Sequence, residues 1–138
     1  MTPDEARRRF AAAQVAHLAT ADATGAPHIV PISFAIEGDA LYTAVDAKPK
    51  RGTRLRRFAN VAANPQVSVL VDEYDEDWTR LWWARADGRA SVLVGGEALE
   101  HALTLLRARY TQYAEAGPIG PVMRISVDRW SGWSWSEP

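Results

Sequence analysis

The nine residues His28-Ile-Val-Pro-Ile-Ser-Phe-Ala-Ile36 limit what this chain can fold into more than any other stretch. Side chains alternate along an extended chain, so Val30, Ile32, Phe34 and Ile36 share one face and Ile29, Pro31, Ser33 and Ala35 the other. The first set is the greasier and is expected to face a core. Proline has no N–H to give to a ladder, so Pro31 places this strand at a sheet edge or a bulge, with the less apolar face open to a ligand.

Neighbouring segments repeat the pattern. Val15 to Ala21 reads as a strand, and the turn formers from Asp22 to Pro27 join it to the first segment as a hairpin. Glu37-Gly38-Asp39 turns into a third strand, Ala40 to Val45. Gln66 to Val71 is another β-rich run, and Leu81 to Val94 reads as a long strand or a hairpin bent at Asp87-Gly88. Val122 to Trp130 and Gly132 to Trp135 supply the last strands. Helices are expected at Pro3 to Ala13, capped by Thr2, and from about Arg54 to Ala63, where Asn64-Pro65 ends it. A third runs from about Glu97 to Tyr113, with Leu99, Ala102, Leu103, Leu106, Tyr110 and Tyr113 at helical spacing. Short strands with interspersed helices and no regular βαβ alternation predict a mainly β fold, an antiparallel barrel with packed helices.

At 138 residues, 47% of them hydrophobic, the chain is the size of one domain, expected to span residues 1–138. The first ten residues hold acids and arginines with no apolar run behind them, which does not read as a signal peptide, and no run approaches membrane-spanning length. The absence of cysteine removes disulfides, thiolate nucleophiles and cysteine-based zinc sites, and fits a reducing, cytoplasmic setting. Any redox chemistry has to be carried by something bound. A formal net charge of −1 argues against a protein made as a whole for nucleic acid.

Charge is local instead. Lys48-Pro-Lys50-Arg51-Gly-Thr-Arg54-Leu-Arg56-Arg57 carries six cations and no acid. Lys50, Arg51 and Arg54 lie around a Thr53 cap, where a helix N-terminus normally attracts carboxylates, and a bound anion would remove the mismatch. Gly52 and Thr53 offer an amide and a hydroxyl to a phosphate, with lysine and arginine completing the cradle. The alternative is a solvated basic helix, which costs little in salt. The acidic stretch from Asp72 to Asp77 reads as a solvated turn. Trp82 and Trp83 are adjacent and should face opposite sides of a strand, while Trp133 and Trp135 share a face that could cover a cofactor or join a dimer seam. His17, His28 and His101 lack metal-ligand spacing, so no metal is expected. With no GxSxG elbow or P-loop, hydrolase and nucleotide-triphosphatase readings have no support.

Taken in order, Val15-Ala-His-Leu-Ala-Thr-Ala-Asp22, Gly25-Ala-Pro-His-Ile-Val-Pro-Ile-Ser-Phe34, Lys48-Pro-Lys-Arg51 and Asn64-Pro-Gln-Val-Ser-Val-Leu-Val71 resemble the pyridoxamine-phosphate-oxidase-like split-barrel superfamily. Tyr74-Asp-Glu-Asp-Trp78 and Leu81-Trp-Trp-Ala-Arg-Ala-Asp-Gly88 resemble more narrowly its F420-dependent oxidoreductases, the flavin/deazaflavin group B. The resemblance implies a homodimer with cofactor sites at the subunit interface. It assigns the cofactor phosphate to Lys48, Lys50, Arg51 and Thr53, the strand beside the tricyclic ring to Ile29, Pro31, Ile32 and Ser33, and an aromatic near the pocket to Trp78. The C-terminal Arg-x-His pair of true pyridoxamine phosphate oxidases is absent, which disfavours vitamin B6 oxidation. Arg54, Arg56 and Arg57 would find a partner in the acidic tail of coenzyme F420 that FMN does not offer.

The function expected from this resemblance is hydride transfer from reduced F420 to an unsaturated small-molecule acceptor, with the protein binding, orienting and excluding water. No catalytic residue is assigned. The following proton could come from solvent, Ser33 or His28, and the sequence does not single one out. The alternatives are an FMN flavoprotein on the same fold, a non-catalytic F420-binding protein, and a weak RNA or anion binder using the basic segment.

Overall fold

A computed structural model of the protein describes residues 1–45, 56–112 and 120–136. The chain starts with helix α1 (Pro3–Ala12), whose N-terminus is closed by Thr2, its Oγ1 accepting from the Glu5 N–H at 3.2 Å. Pro3 fills the first turn, where a missing N–H costs nothing, and Asp4 and Glu5 complement the helix dipole. Ala6 and Phe10, one helical turn apart, form the buried face.

The strands are β1 (Ala16–Ala21), β2 (Pro27–Ile32), β3 (Ala35–Glu37), β4 (Ala40–Ala44), β5 (Gln66–Glu73), β6 (Trp82–Leu93) and β7 (Val122–Ser134). They form one seven-stranded sheet in the order β2-β1-β5-β6-β7-β4-β3. Each described pairing is antiparallel. The outermost strands, β2 and β3, are consecutive in the chain and joined only by Ser33 and Phe34. The sheet therefore curls until its edges meet there, giving a barrel split along that seam. The mainly β, antiparallel split-barrel expectation holds.

Side chains pointing inward fill the barrel. Phe10 lies edge-on to Phe34 at 5.9 Å and to Trp130 at 5.2 Å, over Leu18, Leu41, Val69 and Ile125. Helix α2 (Arg56–Ala63) closes one region of this core with Val61. Helix α3 (Gly96–Arg109) builds a second cluster, in which Ala102, Leu103 and Leu106 pack on Ala35, Tyr42 and Val122.

Four expectations need correction. The run from His28 to Ile36 is two strands, because the chain leaves one edge of the sheet and joins the other at Ser33–Phe34. Ala35 is consequently buried under α3, not on the open face. Of the two readings of Leu81 to Val94, the long strand is the one found, as β6, and at Asp87–Gly88 its register with β7 shifts in a bulge. A side chain at Gly88 would collide with the Ser126 carbonyl and stand 3.0 Å from Val127 Cα. The two final strands are one, since Gly132 is a point of close approach, where a Cβ would sit 2.7 Å from the Trp83 carbonyl oxygen. Helix α3 ends at Arg109 with Tyr110 as its extended C-cap, and Tyr113 lies outside the described residues.

Candidate functional site

Directly opposed residues in a sheet share a face. Pro31 stands opposite His17, His17 opposite Leu70, Leu70 opposite Arg85 and Arg85 opposite Ser131. One step along the strands, Asp72 faces Trp83 and Trp83 faces Trp133; one step the other way, Ile29, Ala19, Ser68 and Asp87 form a row. Ile29, Pro31, His17, Leu70, Arg85, Trp83 and Trp133 thus belong to a single outward face of the barrel. The intervening residues, Ile32, Leu18, Val69, Ala84 and Ala86, are buried inside.

This face exposes more apolar surface than a solvated wall needs. Ile29 is 65% exposed and Trp133 42%, and Val15, just before β1, is 55% exposed. At one end, Leu70, Tyr74, Leu81, Trp82, Trp83 and Trp133 surround a cleft of about 370 Å³, with Asp72, Glu73 and Arg85 at its margins. Beside it, Ala19, Pro27, Ser68, Asp87, Arg89 and Asp128 border a broader hollow of about 580 Å³. Between them runs a fixed polar chain. Ser68 Oγ donates to Asp87 Oδ1 at 2.5 Å, Arg85 Nε donates to Asp87 Oδ2 at 3.0 Å, and the Arg85 guanidinium lies 5.3 Å from the Trp83 ring centroid. Ser68, Arg85 and Asp87 are not among the site residues that the sequence suggests. Their signal was the alternation Trp83-x-Arg85-x-Asp87, three large outward residues between buried alanines.

Of the residues named from the sequence, Ile29 and Pro31 lie exposed on this face, and Ser33 sits half-buried at its corner, on the seam. Ile32 belongs to the inner core at 5% exposure, so only its backbone is turned toward the same region. Strand β2 is an edge, as Pro31 required. Trp82 packs against the main core, its Nε1 donating to Glu73 Oε2 at 2.9 Å, while Trp83 turns outward. Trp78 is 58% exposed on a short 3-10 helix, Trp78–Arg80, capped by Asp77. Asp77 accepts from Thr79 Oγ1 at 2.7 Å and from the Thr79 N–H at 3.1 Å; these bonds, the hydroxyl first, hold its carboxyl below the usual range. Trp78 does not line the cleft, and Trp135 lies in the turn after β7 and not on a strand face with Trp133.

Lys48, Lys50, Arg51, Thr53 and Arg54 lie outside the described residues. Their flanks are placed. Val45 follows β4, and α2 begins at Arg56, with Arg57 half-buried in its first turn. Asn60 of α2 donates from Nδ2 to Thr20 Oγ1 at 3.0 Å, and Thr20 stands opposite His28 of β2. The helix that follows the basic segment is therefore joined through one residue to the edge strand carrying Ile29 and Pro31. Among the described residues, no group of acids and histidines could hold a metal ion, and no helix is long and apolar enough to cross a membrane.

A single antiparallel sheet closed into a barrel that is split along one seam, with three helices packed on it, defines the molecule as a split-barrel protein. The chain belongs to the pyridoxamine 5'-phosphate oxidase family, whose model matches residues 2–134. An FAD-binding protein of Mesorhizobium loti is 26% identical, aligned over 96% of this chain and 94% of its own, with a TM-score of 0.71. A conserved hypothetical protein of Mycobacterium tuberculosis shares 20% identity over 99% of this chain and 86% of its own, with a TM-score of 0.75. The haem storage protein of Vibrio cholerae shares 17% identity over 97% and 95%, with a TM-score of 0.71. No curated protein sequence matches the chain.

Proposed function

We propose that this protein is an F420-dependent oxidoreductase that binds its cofactor along the outward face of β2 and acts as a homodimer. The observation that carries the reading is the edge strand itself. Ile29 and Pro31 present apolar surface to the outside, and Ser33 places a hydroxyl at the end of that surface. A flat tricyclic ring fits such a strip, because apolar contact along one face leaves its polar rim for hydrogen bonds. The FAD-binding relative supports a flavin-type ring on this fold. The cationic run Lys48 to Arg57 supports a cofactor with a phosphate and a further acidic tail.

When bound, the deazaflavin would supply a hydride from its C5 to an unsaturated acceptor. The chain's part is to bind and position. Lys50 and Arg51 neutralise the phosphate, Ile29 and Pro31 support the ring, and Arg57 meets the acidic tail. Trp83 and Trp133 shield the outward face from water against a second copy of the chain. An FMN flavoprotein on the same fold is the second reading, favoured by the FAD-binding relative and by membership of the pyridoxamine 5'-phosphate oxidase family.

Titration with F420 and with FMN side by side tests the assignment. F420 is expected to bind more tightly, and Lys50→Ala and Arg51→Ala should each weaken it about tenfold or more, the scale of a lost charge-assisted hydrogen bond. Tighter FMN binding, with a yellow oxygen-reactive protein, moves the assignment to the second reading. F420 binding with no acceptor reduced across a broad panel leaves a binding protein without catalysis. Indifference of both variants removes the phosphate role.

A further inference from the structure

Strand β2 ends at Ile32 and β3 begins at Ala35, so Ser33 and Phe34 leave both ladders at the point where the barrel's edges meet. Backbone polar groups at such a point need partners from elsewhere. Three side chains supply them. Thr43 Oγ1 on β4 donates to the Ser33 carbonyl at 2.7 Å. The Tyr110 hydroxyl accepts from the Phe34 N–H at 3.0 Å, and the Arg109 guanidinium donates to the Phe34 carbonyl at 2.8 Å. Phe34 is thus held at both of its backbone groups by two adjacent residues at the end of α3.

The hold reaches further. The Arg109 guanidinium also donates to the Ala13 carbonyl and lies 4.6 Å from the Phe34 ring centroid. The Tyr110 proton has two acceptors in reach, the carbonyls of Phe34 at 2.9 Å and Gln14 at 3.0 Å. One dipeptide therefore fastens the end of α1, the approach to β1 and the seam. Among the described strands β2 pairs with β1 alone, and it contains Pro27 and Pro31, so the seam is its anchor at the Ser33 end.

We propose that Arg109 and Tyr110 are positioning residues for the edge strand. By fixing the Ser33–Phe34 peptide they set the angle at which Ile29, Pro31 and Ser33 face a bound ring, although neither residue lies on that face. The ligand half of this statement rests on the cofactor reading above; the hold on the backbone does not.

Tyr110→Phe keeps the ring and removes both hydroxyl bonds, and Arg109→Lys keeps the charge but not the planar fork. Thr104→Gly weakens the same helix from an exposed position outside both core clusters and serves as the control. In the cofactor-free protein, Tyr110→Phe should raise amide exchange at Phe34 by about tenfold or more, while the control, at a comparable loss of Tm, leaves that amide at its wild-type rate. With F420 or FMN bound, both seam variants should weaken affinity by about tenfold and shift the visible absorption band of the cofactor, and the control should do neither. Unchanged exchange at Phe34 would overturn the hold. Faster exchange with unmoved affinity and band position would overturn the positioning role. Failure of the wild-type protein to bind either cofactor is a separate result: it defeats the cofactor reading and the ligand half of the proposal with it, and the exchange rates alone then decide the hold.

Discussion

Asn60 Nδ2 and Thr20 Oγ1 lie 3.0 Å apart with both residues buried, at 5% and 4% exposure, and the hydrogen bond between them fastens α2 to β1. A buried polar group that loses its partner costs the full desolvation of that group. Thr20→Val strands the Asn60 amide in the core with little change of shape, so it should cost about 1–3 kcal/mol. Asn60→Ala should cost a similar amount, and the double variant less than the sum. Chemical denaturation of the four proteins checks this, and strict additivity would show that the bond carries no stability.

Gly88 offers a sharper test of the bulge. A methyl group there meets main chain, the Ser126 carbonyl and Val127 Cα, neither of which can swing aside like a flexible side chain. Gly88→Ala should therefore cost at least about 2 kcal/mol, above the usual surface substitution, through displacement of β7 from β6. Thermal unfolding would show it, and a variant as stable as wild type would mean that the strands part there at little cost.

These two contacts also mark what the sequence could and could not disclose. Local signals were sufficient for the Thr2–Pro3 helix start, the β1–β2 hairpin and the edge position of Pro31, because each depends on one residue's own backbone chemistry. The break at Ser33–Phe34 was hidden because the alternation of Ile32, Phe34 and Ile36 continues unbroken across it: both edges of a closed sheet bury the same face. Tyr110 read as a core residue of a longer helix, since its partner Phe34 lies 76 positions away and leaves no local trace. Gly132 read as the start of a separate last strand, when its smallness serves a close approach to Trp83 within one continuous strand. On the outward face, the apolar surplus was legible in the adjacent pair Trp82-Trp83, one of which has to turn away from the core, but the row Ile29, Ala19, Ser68, Asp87 exists only once the register is known.

The β1–β2 hairpin should respond to acid through Asp22. Its carboxylate accepts from Thr24 Oγ1 at 2.7 Å and from the amides of Thr24 and Ala26 at 2.9 and 3.0 Å. The hydroxyl first, and then the amides, hold the carboxyl below its ordinary value of 3.8. A carboxyl that is more acidic folded than unfolded stabilises the fold fully above the unfolded value and loses that contribution as pH falls through the folded one. Asp22→Asn keeps an acceptor but not the charge. The Tm difference between wild type and variant should therefore be constant near neutrality and shrink below pH 3.8. A difference that persisted unchanged into stronger acid would assign it to turn geometry and not to the charge.

The dimer proposal makes the outward face the place to intervene. Val15, just before β1 at 55% exposure, and Trp133, at 42%, are large apolar groups beside a polar chain, Ser68, Asp87 and Arg85, whose members are already engaged with one another. Such a face gains by covering its apolar part with an identical copy, since a two-fold axis brings the same patch to both sides. Trp133→Arg and Val15→Glu each put an unpaired charge into that contact while altering little inside the barrel, because neither side chain belongs to the inner core. Light scattering at micromolar concentration should give twice the chain mass for wild type and a mass shifted toward the monomer for both variants, with far-ultraviolet circular dichroism unchanged. F420 affinity should fall in the same two variants if each site draws on both subunits. A wild-type monomer that binds cofactor fully would place the whole site within one chain and leave Trp83 and Trp133 as walls of the cleft alone.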